Sequence, residues 1–244
     1  MNSDKKIAVV SGASRGIGLS IAQLLTDKNY VVINADLENE IASLKTSDNL
    51  IHFACNIANE ENVKSLFSFA KEKLGRIDLL VNNAGIIKDN MIWNMPTEDF
   101  DAVINVNLKG TWMMCKYAAL IMKEQNSGRI VNIASRAWLG NRGQSNYSAS
   151  KAGVVALTRV LALELGKYHV SVNAVAPGLI DTPLTQKLKP EVLESLISAQ
   201  PSKSIGKPED VANAVVFLGS SETSFITGQV LYVDGGKSVS SNLF

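Results

Sequence analysis

The sequence predicts an open α/β sheet, and three observations carry that expectation. Short apolar runs recur between longer stretches whose apolar residues fall at helical spacing. A glycine-rich turn closes the first run and opens the first helix, and the second run ends in an acid, Asp36. Strands alternating with helices in this way make a parallel sheet covered on both faces. The 244 residues suffice for one such domain, expected over 1–244, and leave no room for a second of comparable size.

The elements follow in order. Lys6 to Val10 is the first strand, and Ser11-Gly12-Ala13-Ser14-Arg15-Gly16-Ile17-Gly18 is the turn after it. Glycines there permit a tight reversal and let a pyrophosphate approach amides at a helix N-terminus, where unpaired N–H groups and the macrodipole favour negative charge. Leu19, Ile21, Ala22, Leu24 and Leu25 mark the helix, and Tyr30 to Ala35 the second strand. Asp36 falls where a dinucleotide fold places the carboxylate that binds the adenine-side ribose, roughly 20 residues beyond the turn. That carboxylate repels a 2′-phosphate and argues for NAD, whereas Arg15 offers a guanidinium suited to NADP. Asp36 carries more weight, because Leu37 after it supplies no cation.

Leu50 to Ala54 is the third strand, with Asn56 and Ile57 placed to flank an adenine. Glu60 to Leu74 is an amphipathic packing helix, and Ile77 to Val81 a strand ending in Asn82-Asn83-Ala84-Gly85, small enough for close approach of a cofactor. Thr97 reads as the N-cap of a helix running through Asn107 to about Lys123. Arg129 to Ala134 is a strand, the residues after Asn146 a long helix, and Val170 to Val175 the next strand, stopped by Pro177-Gly178. The segment 180–206, with Pro183, Pro190 and Pro201, reads as a lid of two short helices. Val211 to Leu218 is the last helix and Gln229 to Val233 the last strand.

Composition narrows the function. A net charge of +1 supplies no field for nucleic acid or an anionic membrane, and no stretch reaches the roughly 20 apolar residues of a membrane span. Two cysteines and two histidines without ligand spacing leave no metal site, and a cytoplasmic enzyme is expected. The chemistry gathers in Ser135 to Lys151. Ser135 ends a strand, where open sheets bind ligands, and so is preferred to Ser145 and Ser148. Tyr147 and Lys151 are four apart, so a helix stacks an ammonium beside a phenol, favouring the phenolate and bringing the tyrosine towards a usable acid/base range.

Taken together these residues resemble the short-chain dehydrogenase/reductase family over essentially the whole chain. Gly12, Gly16 and Gly18 look like its cofactor fingerprint, with Ser11 where threonine is commoner, and Asn82 to Gly85 like its NNAG motif. Ser135, Tyr147, Lys151 and Asn107 look like its catalytic tetrad; Pro177, Gly178 and Thr182, with Val233-Asp234-Gly235-Gly236, also match. The resemblance implies a Rossmann-type doubly wound, seven-stranded parallel sheet in a three-layer αβα arrangement. It implies hydride transfer between nicotinamide and a ketone or secondary alcohol, with Tyr147 exchanging the proton, Ser135 steadying the oxygen, and Lys151 lowering the tyrosine pKa and holding the ribose. Asn107 is implied to position a water, and Ser14, Ile17, Asn83, Ala84, Gly85 and Ile180 to line the cofactor. Asn56 replaces the family's usual aspartate.

Ile86 to Asn90 followed by Met95 resembles the branch that reduces 3-oxoacyl thioesters, whose members typically use NADPH. Asp36, and the lack of arginines near Asn126 and Tyr168, keep an NAD-linked secondary-alcohol or hydroxyacyl dehydrogenase as a rival; a non-catalytic nucleotide-binding subunit is the remaining alternative. Trp93, Arg136, Trp138 and Arg142 are candidates for the substrate mouth, although a core tryptophan and solvated arginines fit the same pattern. The helices around Met113 to Ile121 and Val154 to Leu165 resemble those that pair in the family's homotetramer.

Overall fold

A computed structural model describes residues 5–239. Seven parallel strands form one sheet in the order β3-β2-β1-β4-β5-β6-β7. They are β1 (Lys6–Ser11), β2 (Tyr30–Asp36), β3 (Leu50–Ala54), β4 (Leu79–Asn82), β5 (Gly128–Ile133), β6 (Val170–Pro177) and β7 (Val230–Val233), each within a few residues of its predicted run. The helices are α1 (Gly16–Asp27), α2 (Glu38–Ile41), α3 (Glu60–Leu74), α4 (Thr97–Ile104), α5 (Thr111–Gln125), α6 (Ser145–Leu165), α7 (Pro190–Ser198) and α8 (Pro208–Gly219).

Because both faces are covered, the central strands are mostly apolar on both sides, with a few buried asparagines, instead of alternating regularly with polar residues. Val9, Ile33, Leu80 and Ile130 pack under α3 and α5, while Ala8, Val10, Val32, Val81 and Val131 pack under α1 and α8. Local chemistry fixes the helix ends. Asn59 caps α3 by accepting from the amides of Glu61 and Asn62, and Gly75 closes it with φ +78°.

Two elements depart from the sequence reading. The helix expected from Thr97 to Lys123 is interrupted by a π-turn at Asn105–Gly110, and Thr97 is its first helical residue, with Pro96 at the cap. In place of two short helices, 180–206 holds a 3₁₀ turn at Thr185–Lys187 and one helix, α7. Its ends are pinned together, since Asp181 N donates to Gly206 O and Gly206 N to Leu179 O, at 2.8 and 3.0 Å.

A buried polar spine ties the middle of the sheet to α6. Asn82 Nδ2 donates to Asn132 Oδ1 at 2.8 Å, Asn132 Nδ2 to Thr158 Oγ1 at 2.9 Å, and Thr158 Oγ1 to Val154 O at 2.8 Å. The spine thus links β4 and β5 to α6.

Candidate active site

β1 lies between β2 and β4, so the chain's direction of winding reverses there and a crevice opens beyond the carboxyl ends of β1 and β4. A cleft of about 280 Å³ occupies this place. Gly12, Arg15, Asp36, Asn56, Ile57, Asn83, Ala84 and Gly85, all candidates from the sequence, line it. Ala35, Leu37, Glu40, Cys55, Ile86 and Val106 complete the lining, and nothing local in the sequence marks Glu40, Cys55 or Val106 for that place.

The cleft is shaped for a dinucleotide. A Cβ on Gly18 would lie 2.1 Å from Gly12 O and 2.5 Å from Asn83 Nδ2, so only glycine lets α1 start this close to the β1 turn. Gly12 has φ +68°, and its missing Cβ leaves room for Ala84. Ser11 locks the two corners together by accepting from the amides of Asn83 and Ala84 at 3.0 and 3.1 Å. The first turn of α1, which contains Gly16 and Ile17, has no side-chain cap, leaving its amides available to an anion.

At the far end of the cleft Asp36 is held by the amides of Ser14 and Leu37, at 3.2 and 2.9 Å. Arg15 pairs with Glu40 at 2.6 Å. The guanidinium that could have met a phosphate therefore already faces a carboxylate. Asn56 Oδ1 accepts from Ala58 N at 3.0 Å, leaving a second lone pair unused. Gly178 N donates to Val233 O at 2.9 Å, bringing Pro177-Gly178 against the closing Asp-Gly-Gly turn. Ile180 is buried beside Gly206, and Thr182 reaches the glycine turn, its Cγ2 being 3.8 Å from where a Gly16 Cβ would sit.

Ser135 leaves the end of β5, and α6 carries Tyr147 and Lys151 beside it. Ser135 Oγ accepts from Ala137 N at 3.1 Å and shares a hydrogen bond with the Tyr147 hydroxyl. The rival hydroxyls of Ser145 and Ser148 are buried with no hydrogen-bond partner. Lys151 Nζ donates to Ile133 O at 2.7 Å and lies 5.7 Å from the centre of the Tyr147 ring.

The electrostatics correct the sequence expectation. Burial pushes the Tyr147 phenol above its ordinary value, the hydrogen bond with Ser135 pulls it down, and the charge of Asp89 pushes it up again. Lys151 is not what sets it: burial brings the lysine itself down to about 8. In the ligand-free protein Tyr147 therefore keeps its proton, the form needed to protonate a carbonyl oxygen.

Asn107 sits in the π-turn, wholly buried. Its Oδ1 accepts from Ile86 N at 2.8 Å, while its Nδ2 donates to Ile86 O and to Ser150 Oγ at 3.0 and 3.2 Å. Ser150 Oγ in turn donates to Tyr147 O at 2.7 Å, a link the sequence did not reveal. The chain that crosses the site from Ile86 is also sewn to the start of α6. Asn90 N donates to Gly143 O at 2.9 Å, Gln144 Nε2 to both oxygens of Asp89 at 2.9 and 3.1 Å, and Asn146 Nδ2 to Lys88 O at 2.8 Å.

The four substrate candidates differ in exposure. Trp138 turns into the core beside Ala134, Val154 and Leu108, with its indole N–H unpartnered. Trp93 is 74% exposed on a 3₁₀ turn (Ile92–Asn94), Arg142 is exposed and Arg136 half-buried.

A family model described as enoyl-(acyl carrier protein) reductase matches residues 12–238. The chain belongs to the short-chain dehydrogenase/reductase family. Members of this family are oxidoreductases that use a nicotinamide cofactor, and so is this protein. It is 41% identical to 3-oxoacyl-(acyl-carrier-protein) reductase FabG of Thermotoga maritima, over 97% of this chain and 99% of that one. It is 39% identical to (2S)-((R)-hydroxy(phenyl)methyl)succinyl-CoA dehydrogenase subunit BbsD of Thauera aromatica, over 98% and 99% of the two chains. The ligand-free structure of Thermoplasma acidophilum aldohexose dehydrogenase superposes with a TM-score of 0.90 at 35% identity, covering 100% of this chain and 98% of that one.

Burial of Lys151 has a measurable cost. With its folded pKa near 8 and its unfolded value near 10.5, the unfolded chain binds more protons between those limits, so this residue makes stability rise with pH across that window. Below about pH 8 the full penalty applies. Lys151→Met is expected to raise the Tm of the ligand-free protein at pH 7 by about 3 °C or more, with the gain shrinking as the pH passes from about 8 to about 10.5. Calorimetry across that range checks both the sign and the window.

Proposed function

We propose that the protein is an NAD-dependent reductase of 3-oxoacyl thioesters, able to run in reverse as a 3-hydroxyacyl dehydrogenase. What carries the reading is the Ser135–Tyr147–Lys151 group, half-buried at the serine and tyrosine and buried at the lysine, at the end of β5 and next to the cleft through Gly85. A bound nicotinamide supplies or accepts the hydride. Tyr147 donates its hydroxyl proton to the substrate oxygen in reduction and recovers it in oxidation. Ser135 Oγ holds that oxygen and steadies its developing charge. Lys151 would hold the ribose hydroxyls of the cofactor, and Asn107 keeps Ile86 and, through Ser150, the backbone of Tyr147 in place.

Asp36 and Glu40 support the choice of NAD. Two carboxylates border the adenosine end, and the nearby guanidinium, Arg15, is paired with one of them. A 2′-phosphate would meet net negative charge there. The thioester assignment is supported by the full-length likeness to 3-oxoacyl reductases and to a succinyl-CoA dehydrogenase subunit. The carboxylates that favour NAD, and the likeness to aldohexose dehydrogenase, favour a second reading: an NAD-dependent dehydrogenase of another secondary alcohol. Segment 180–206 acts as the lid, with Thr182 against the glycine turn.

Steady-state kinetics with a short 3-oxoacyl-CoA and a panel of simple ketones, each with NADH and NADPH, test the assignment. The expected result is turnover of the thioester with kcat/KM at least about tenfold higher for NADH, a preference worth about 1.4 kcal/mol. A ratio favouring NADPH contradicts the cofactor reading, and turnover confined to non-acyl substrates contradicts the thioester one.

The assembly proposed is a homotetramer. Trp112 and Leu120 on α5, with Val160 and Leu163 on α6, are exposed apolar residues, and Leu163 is 85% exposed. Light scattering is expected to give four times the 26.3 kDa chain mass, and a monomer mass contradicts the proposal.

A further inference from the structure

Asn34 is wholly buried at the centre of β2, and its side chain is shared between the glycine turn and the next strand. Its Oδ1 accepts from Ala13 N at 3.0 Å. Its Nδ2 lies 3.1 Å from Ser14 Oγ and 3.0 Å from His52 Nδ1, and β2–β3 register sets Asn34 opposite His52. The chemistry of these partners leaves one arrangement. The Ala13 amide is a donor, so the Asn34 oxygen must face it and Nδ2 must donate to Ser14 and His52. His52 Nδ1 must then accept, which places the ring proton on Nε2, where it is donated to Lys45 O at 3.2 Å.

We propose that His52 is a positioning residue for cofactor binding, holding the Ala13–Ser14 limb of the glycine turn through Asn34, and that only its neutral form can do so. In the protonated ring Nδ1 carries a hydrogen and confronts the Asn34 amino group, donor against donor. Turning the Asn34 amide over relieves that contact only by setting its amino group against the Ala13 N–H. Either way the turn loses a tie. Ser14 N also holds Asp36 Oδ2, so the disturbance extends to the carboxylate at the end of the cleft. The inference rests on the family's nicotinamide cofactor and is independent of the substrate and of the choice between NAD and NADP.

Other charges lie on the elements packed here: Asp36 on β2, Glu38 and Glu40 on α2 with Arg15 on Glu40, and Lys45 and Asp48 in the turn before β3. The test must separate these from the ring, and two variants do so. His52→Asn keeps an acceptor close to the Nδ1 position that takes up no proton; His52→Leu removes the acceptor.

Equilibrium binding of NADH and NADPH is measured by reduced-nicotinamide fluorescence for wild type and both variants, from about pH 8 to about pH 5.5, the range in which histidines change charge. At pH 8 wild type and His52→Asn are expected to bind equally, and His52→Leu about fivefold more weakly, the effect of one lost net hydrogen bond. On acidification wild type is expected to lose about fivefold more affinity than His52→Asn, in which the remaining charged groups are unchanged. At saturating cofactor kcat is expected to be equal in wild type and both variants at pH 8, placing the effect in KM. Parallel pH curves for wild type and His52→Asn overturn the proposal, as does undiminished binding by His52→Leu at pH 8. If the leucine variant fails to fold, the comparison of wild type with the asparagine variant decides alone.

Discussion

The close approach of two corners governs this structure: the turn after β1 and the turn after β4. Gly18 and Gly12 leave no room for side chains between them and Asn83-Ala84, and Ser11 bonds both amides of the opposite corner. Since β1 and β4 are the strands between which the winding reverses, this contact sets the floor of the crevice. Everything that meets a cofactor is placed from it. Asp36 is oriented by Ser14 in the same turn, Asn34 braces the turn from β2, and Gly85 follows Ala84 directly into the neighbourhood of Asn107 and Lys151.

The Ser135–Tyr147–Lys151 group is positioned by a different means, a set of buried polar links. Asn107 ties the π-turn to Ile86 and Ser150, Ser150 ties it to Tyr147, and the Asn82–Asn132–Thr158 spine holds α6 to the sheet. Burial also decides the protonation of the pair. It keeps the proton on Tyr147 and weakens the hold of Lys151 on its own, so the site carries a lysine that opposes folding at neutral pH.

How much of this was legible in the sequence follows from the range of the interactions. The strands and the glycine turn were readable because backbone sterics and apolar runs are local. Tyr147 and Lys151 were readable because helical spacing brings them together. The π-turn was not, because the residues of Asn105–Gly110 continue the helical pattern, and the partner of Asn107, Ile86, lies on another part of the chain. Glu40 escaped notice for the same reason, since its meaning depends on reaching Arg15 across a turn. Helical spacing reveals the charge of Lys151 beside Tyr147 but not the depth of burial, which sets the direction of the Tyr147 shift. Trp138 reads equally as mouth or core from sequence, because a single tryptophan shows no periodicity; its ring is partly buried against the cluster that holds Ala134 and Val154.

The most direct measurement is the turnover of Tyr147→Phe set beside its affinity for cofactor. The variant removes one oxygen and leaves the glycine turn, Lys151 and the cleft lining in place. The account predicts a fall in kcat of at least about a hundredfold, the scale of a lost general acid, with cofactor binding and Tm close to those of wild type. Undiminished turnover in a folded, cofactor-binding variant would contradict it.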